Sequence, residues 1–409
     1  MLTSDLISSA RDLAPDIIAL RRAIHAEPEL GLETPKTLAK VRKALSDIDL
    51  EWHLGTSCTG AVATLKGAKP AAAGRARVLL RGDMDALPMD EKTGLDFTST
   101  IPGRMHACGH DTHTAMLVGA ARLLAAQRDQ IAGEVDFMFQ PGEEGYHGAR
   151  FMLDDGLLGG SGAGERALPD AAFALHIMPN APFGVIGGRE GPLMAAADQF
   201  TITVEGRGGH ASMPHDCLDP VPAAAAIVGA LQAMVTRRFD AASAVVVTVS
   251  QIHAGTAHNV IADDASVAGT IRTLTAENRA EAHALINEVA ASTAAAYGVT
   301  ATCEIQRGFP VTVCDKRAVD LGAKVTRAIG GEAAWRDLPN AIMGAEDFSY
   351  VLEKVPGAMF FLGVAPEGDD WSACCAIHSP RMHVDEKALP MGSATLAGCA
   401  IEFLHEGWA

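Results

Sequence analysis

Three short stretches and two isolated histidines carry most of the side chains able to hold a metal ion or move a proton. Within His106–His113 (HACGHDTH), Cys108 and His110 are two apart, so a short loop can bring a thiolate and an imidazole to one ion. In QPGEE, at 140–144, two carboxylates are adjacent. Glu143 and Glu144 can therefore divide the work, one holding metal while its neighbour stays available as a general base. In RGDMDALP, at 81–88, Asp83 and Asp85 are spaced by two and point to one side of an extended segment. They suit either a loop cap or the orientation of imidazole ligands. His176 (in LHIMP) and His378 (in AIHSPRMHVDE) each follow an apolar run and read as further ligands. His53, His147, His253, His283 and His405 have no partner pattern and read as surface or packing residues. The adhesion-like tripeptide Arg81-Gly82-Asp83 is discounted because it follows a strand expected to be buried.

These clusters need elements that bring them together. Ala76–Leu80, Val135–Phe139, Ala171–Leu175 and Ala358–Val364 read as buried strands. Ala115–Gln127 and Ser393–His405 read as helices. Continuous apolar strands separated by helices imply an α/β fold, a mostly parallel sheet with helices on both faces. Ligands in such sheets bind where strand C-termini emerge, which is where the acid and imidazole clusters lie. The middle of the chain differs. Phe200–Glu205, Ala244–Ile252, Ala265–Arg272 and Thr300–Ile305 alternate as half-buried strands, with helices over Pro222–Arg237 and Ala276–Ala296. That β-α-β-β-α-β order is ferredoxin-like. It predicts a second domain over 188–305, inserted into a first formed by 1–187 and 306–409. Gly159–Gly164 reads as a loop.

The 409 residues carry 33 Lys and Arg against 50 Asp and Glu, a formal charge of −17. That field repels polyanions, so neither nucleic acid nor an anionic membrane surface is an expected partner. No apolar run reaches the 18 or more residues of a bilayer crossing, and the first 22 residues read as an amphipathic helix rather than a signal peptide. Eight scattered cysteines without a framework spacing point to free thiols in a reducing cytoplasm.

Taken in order, the motifs resemble a known family. They are Arg22/His25 with PELG (28–31), RGDMDALP, HACGHDTH, QPGEE, His176, GGHASMP (208–214), Asn259-Val260-Ile261, Arg272, GAEDF (344–348) and His378-Ser379-Pro380. The set is similar to the aminoacylase/carboxypeptidase family of metallohydrolases with paired ions. Within it, the likeness is to the branch of hippurate hydrolase, bacterial N-acyl-amino-acid amidohydrolases and plant auxin-conjugate hydrolases. It spans about residues 21 to 386.

The resemblance implies a phosphorylase/hydrolase-like catalytic domain with an inserted lid that dimerises. It implies two divalent ions held by Cys108, His110, Glu144, His176 and His378, with Glu143 as general base and Asp85 orienting ligands. Asp83 stands where relatives outside the branch have a ligating His, and is not expected to ligate here. His210 would stabilise the oxyanion, often from the partner subunit of a homodimer, with a tetramer as the alternative assembly. Asn259 and Arg272 would grip a substrate carboxylate. Zinc, manganese, cobalt and nickel all suit the ligand set. Met382 departs from the aromatic residue expected near His378. The implied activity is hydrolysis of N-acyl-L-amino acids to a carboxylic acid and a free amino acid. A di- or tripeptidase, or a carboxypeptidase, on the same scaffold is the alternative. A non-catalytic metal or ligand binder is disfavoured, because every expected ligand and the base are present.

Overall fold

The computed structural model describes residues 3–159 and 166–408, so most of the loop expected at Gly159–Gly164 lies outside the described residues. The chain forms two compact units. The larger comprises Met1–Leu193, Val313–Asn340 and Asp347–Ala409, and the smaller Met194–Thr312 with Ala341–Glu346. The smaller unit runs past residue 305 because its last strand extends to Arg307 and Phe309 O accepts from Ala197 N.

The larger unit is built on an eight-stranded sheet. Its order is Glu51–Leu54, Ala61–Lys66, Glu134–Gln140, Arg77–Asp83, Ala171–Met178, Gly357–Gly363, Ile186–Gly188 and Trp335–Asp337. The four central strands, Glu134–Gln140 to Gly357–Gly363, are mutually parallel. The first two strands and the Gly357–Gly363/Ile186–Gly188 pair are antiparallel, which makes the sheet mixed. Every residue of Arg77–Asp83 and Gly357–Gly363 is buried, as strands covered on both faces require. The helices His110–Ala125 and Leu389–Glu406 pack on the sheet and on each other. Both are apolar nearly all round, and almost all their residues are buried. The expected amphipathic N-terminal helix is two helices, Thr3–Asp12 and Ala14–His25, divided at Leu13 ahead of Pro15.

Three boundaries differ from expectation in ways that matter for chemistry. Arg77–Asp83 runs through the RGD tripeptide, because Arg81, Gly82 and Asp83 continue the parallel register opposite Met138, Phe139 and Gln140. The helix begins at His110 rather than Ala115, so His110 and His113 lie on its first turn instead of in a loop. His176 lies inside strand Ala171–Met178 rather than after it.

The smaller unit has the ferredoxin-like order. Its antiparallel sheet runs Val245–Ala254, Asp264–Thr273, Ala196–Glu205, Thr300–Arg307, with helices Pro220–Arg238 and Ala276–Ala296. Burial alternates strictly along Asp264–Thr273 from Ala265 onward. Phe200, Ile202, Val204, Val267 and Ile271 form one core with Ile227, Leu231 and Ile286 of the two helices. The other face of the sheet is left half-buried or exposed.

Candidate active site

Asp83, Glu143 and Glu144 reach one place because Arg77–Asp83 and Glu134–Gln140 are parallel neighbours and end together. Cys108 and His110 arrive on the turn that starts the following helix. Gly109 makes this turn at φ 91°, and a Cβ there would lie 2.5 Å from Ile177 Cγ1. Glycine is therefore required on both conformational and steric grounds. His378 comes from the long connection after Gly357–Gly363, itself at φ 64°, with its N–H donating to Ala107 O at 2.7 Å.

The five expected ligands converge. One ligand atom from each of Cys108, His110 and His176 lies within 4.8 Å of the others, and the same holds for Cys108, Glu144 and His378. Cys108 Sγ is 3.3 Å from His176 Nε2, and His378 Nε2 is 3.3 Å from Glu144 Oε1. His110 Nε2 is fully buried and makes no hydrogen bond, while oxygens of Asp83, Glu143 and Glu144 stand 3.6 to 4.0 Å away. A buried imidazole nitrogen with an unused lone pair among carboxylates and a thiol fits a divalent cation.

Second partners set the tautomers. His176 Nδ1–H donates to Ile177 O at 2.6 Å, which leaves Nε2 facing Cys108. His110 Nδ1 meets Asp85 Oδ1 at 3.3 Å, which leaves Nε2 for an ion. Asp85 does more than orient that ring. Its Oδ1 accepts the Glu143 N–H and its Oδ2 the Glu144 N–H, both at 3.0 Å. One buried carboxylate thus serves as loop cap and imidazole partner together.

The electrostatics follow from burial. Burial pushes the Cys108 thiol up, and a bound cation would reverse that. Burial also carries His176 well below its ordinary value. At His110 burial opposes protonation, but Asp83 and Cys108 outweigh it and hold the ring well above. Bonds to Cys108 and Glu144 push half-exposed His378 up to about 10.

The family model "Peptidase family M20/M25/M40" matches residues 79–402. The chain belongs to peptidase family M20/M25/M40. Among its relatives, thermostable carboxypeptidase 1 of Saccharolobus solfataricus is 37% identical, over 99% of this chain and 100% of its own length. N-acetylcysteine deacetylase of Bacillus subtilis is 36% identical, over 95% of this chain and 97% of its own. A dinuclear metal-binding peptidase of family M20 from Bacillus subtilis superposes with a TM-score of 0.81 at 33% identity, covering 96% and 99% of the two chains. This M20 chain is a hydrolase of amide bonds, and its residue groups suit two divalent ions.

Sequence reasoning missed several functional neighbours. Arg81 is buried and bonded to Asp83, to Gln140 at 2.9 Å and to Asp347 at 3.2 Å. Gln140 Nε2 donates to the same Asp347 oxygen at 2.6 Å. Asp111, next to His110 in sequence, accepts from Arg21 at 2.7 Å and meets His25 Nδ1 at 2.9 Å. The repeated acid and base residues of RGDMD, QPGEE and GAEDF were the available signal. Met382, at the departure from pattern, is buried.

In the smaller unit, His210 pairs in register with Val260, and Asn259 O accepts from Ala211 N at 3.1 Å, so His210 and Asn259 are neighbours. Arg272 is not brought to them. It lies near the far end of strand Asp264–Thr273, about 26 Å from Asp264 at roughly 3.3 Å per residue. Asp263 is on the His210 side, its carboxylate accepting from Gly208 N at 2.9 Å. Arg272 is half-buried, which lowers its pKa, and its side chain makes no hydrogen bond or ion pair among the described residues. His283, read as a surface or packing residue, is buried and holds Asp198 at 2.7 Å together with Arg279.

Proposed function

We propose that the protein hydrolyses the amide bond of N-acyl-L-amino acids, releasing a carboxylic acid and a free amino acid. The observation that carries this substrate class is Arg272, a half-buried guanidinium that feels the charge of Asp198 but makes no side-chain hydrogen bond or ion pair among the described residues. An unpaired, partly desolvated guanidinium favours an anionic ligand, and its planar fork matches a carboxylate.

Cys108, His110, Glu144, His176 and His378 would hold two divalent ions; zinc, manganese, cobalt or nickel fit their mixed donors. When bound, such ions supply an acidified water and polarise a carbonyl. Glu143, fixed through its N–H by Asp85, takes the proton of the attacking water and passes it to the leaving amine. His210 donates a hydrogen bond to the oxyanion of the tetrahedral intermediate. Arg272 takes the substrate carboxylate.

One copy of the smaller unit cannot offer both His210 and Arg272 to one small molecule, given the strand length between their ends. We therefore assign the working form as a homodimer in which His210 and Asn259 come from the partner copy. Most of the large exposed hydrophobic side chains, among them Met213, Leu218, Val221, Ile252 and Val260, lie in the smaller unit, as a self-association surface requires. Eight unbridged cysteines support a reducing, cytoplasmic setting. No described helix is long and apolar enough to cross a membrane.

The relative named as a carboxypeptidase supports a second reading, cleavage of free peptides. The test is a panel of hippurate and N-acetyl amino acids beside free-amine dipeptides, assayed with each metal. Faster turnover of the N-acyl series supports the proposal, and faster turnover of the dipeptides replaces it with the second reading.

A further inference from the structure

His113 is fully buried beside the ligands, yet it is not expected to ligate. Its Nδ1 is 2.7 Å from Asp83 Oδ1, and its Nε2 accepts the Ile177 N–H at 2.9 Å. A backbone N–H can only donate, so Nε2 carries no proton and Nδ1–H donates to Asp83. Both ring nitrogens are committed, which removes His113 from the ligand set although it belongs to a close Asp83/His110/His113 group. Its ring centroid is 4.4 Å from that of His176 and 5.4 Å from that of His110. The residue it holds through Nε2 follows His176 directly. Its other partner, Asp83, also stands 3.6 Å from His110 Nε2 through Oδ2.

We infer that His113 is a positioning residue that fixes the separation of His110 and His176, and so shapes the part of the metal site that contains Cys108. It ties three segments at one point: the end of Arg77–Asp83, the first turn of His110–Ala125 and the Ile177 amide of Ala171–Met178. Its neutral tautomer matters, because a proton on Nε2 would oppose the Ile177 N–H and break the tie. The surroundings leave no slack, since a Cβ on Gly82 would lie 2.9 Å from His113 O.

The inference rests on the two-ion reading and not on the substrate, so its test reads metal binding. Metal-stripped wild type, His113→Phe and His113→Asn are titrated with cobalt(II), following heat and the thiolate-to-cobalt absorption. Phe keeps the ring volume and neither hydrogen bond. Asn keeps an N–H donor toward Asp83. Loss of a ligand-orienting partner typically costs about 10- to 100-fold in affinity, so the Phe variant should weaken by that much and shift the cobalt spectrum. The Asn variant should recover part of both. Wild-type affinity and spectrum in the Phe variant would overturn the inference, and failure of wild type to bind would overturn it together with the two-ion reading. Should the Phe variant not fold, nitrogen-15 histidine spectra of wild type decide. His113 should keep its Nδ1–H tautomer through the titration while His110 and His176 shift; a metal-induced shift at His113 Nε2 would overturn the assignment.

Discussion

Ser212 donates its backbone N–H to His210 Nδ1 at 3.1 Å, with the Ser212 hydroxyl 2.8 Å from the same nitrogen. The N–H cannot accept, so the neutral His210 ring carries its proton on Nε2. That is the tautomer a hydrogen-bond donor to an oxyanion requires.

The first prediction follows from that proton. His210→Gln places an amide N–H near the Nε2 position, whereas His210→Asn places one near Nδ1. Losing an oxyanion donor costs about 100- to 1000-fold in kcat. Asn should show the full loss and Gln a smaller one, with KM little changed in both. Mixing His210→Ala with Arg272→Ala protein, at substrate concentrations low enough that each alone turns over slowly, should restore part of the activity by forming hybrid dimers. Equal losses for Gln and Asn, or no restoration on mixing, would contradict the assignment.

Asp85 gives the second. Substitution by Ala removes the acceptor of two backbone N–H groups and the partner of His110. Each buried donor left unsatisfied costs about 1–3 kcal/mol. Asp85→Ala should therefore bind metal more weakly and lower kcat at least about 100-fold, as a misplaced catalytic group does. Unfolding curves, metal titration and steady-state kinetics on one preparation check all three effects.

Arg272 supplies the third. Arg272→Ala should raise KM for N-acyl amino acids by about 10- to 100-fold, the worth of a charge-assisted hydrogen bond, and change kcat less. The corresponding C-terminal carboxamides should lose almost nothing. An equal penalty on acids and amides would mean that Arg272 only supports the strand.

The order of strands and helices was legible because apolar runs and alternation report burial directly. So was the gathering of Cys108, His110, Glu144, His176 and His378, since their motifs were read as emerging beside buried strands and their ligand atoms do come together. The tie from Asp83 through His113 to Ile177 was not, because it joins three segments whose register only the folded sheet fixes. Arg81 could not be matched with Asp347 for the same reason. Nor could Asn259 be separated from Arg272, which depends on the direction and length of one strand rather than on residue type.

Acid sensitivity gives the fourth prediction. Burial pushes the Glu91 carboxyl up, but bonds from His25, the Ser99 N–H and Thr93 outweigh it and bring the group down to about 2 from an ordinary 4.5. Its folded value is depressed, so its stabilisation is present above about 4.5 and is lost as pH falls toward 2. Burial lowers His106 to about 3 from 6.5, so protonation favours the unfolded chain as pH falls below 6.5. His25, raised overall by Asp111 and Glu91 against its burial, works in the opposite direction and stabilises at low pH. The melting temperature should fall from near pH 6.5 downward. His106→Phe should flatten the upper part of that decline and Glu91→Gln the part below about 4.5, as melting curves across pH would show.

The most direct test of the account is Glu143→Gln, measured for bound metal and for hydrolysis of an N-acyl amino acid on the same sample. The variant should hold two ions per chain, as in wild type, with turnover lower by about 100- to 10,000-fold, the range expected for losing a general base. Turnover close to wild type, or loss of an ion with the substitution, would contradict the role given to Glu143.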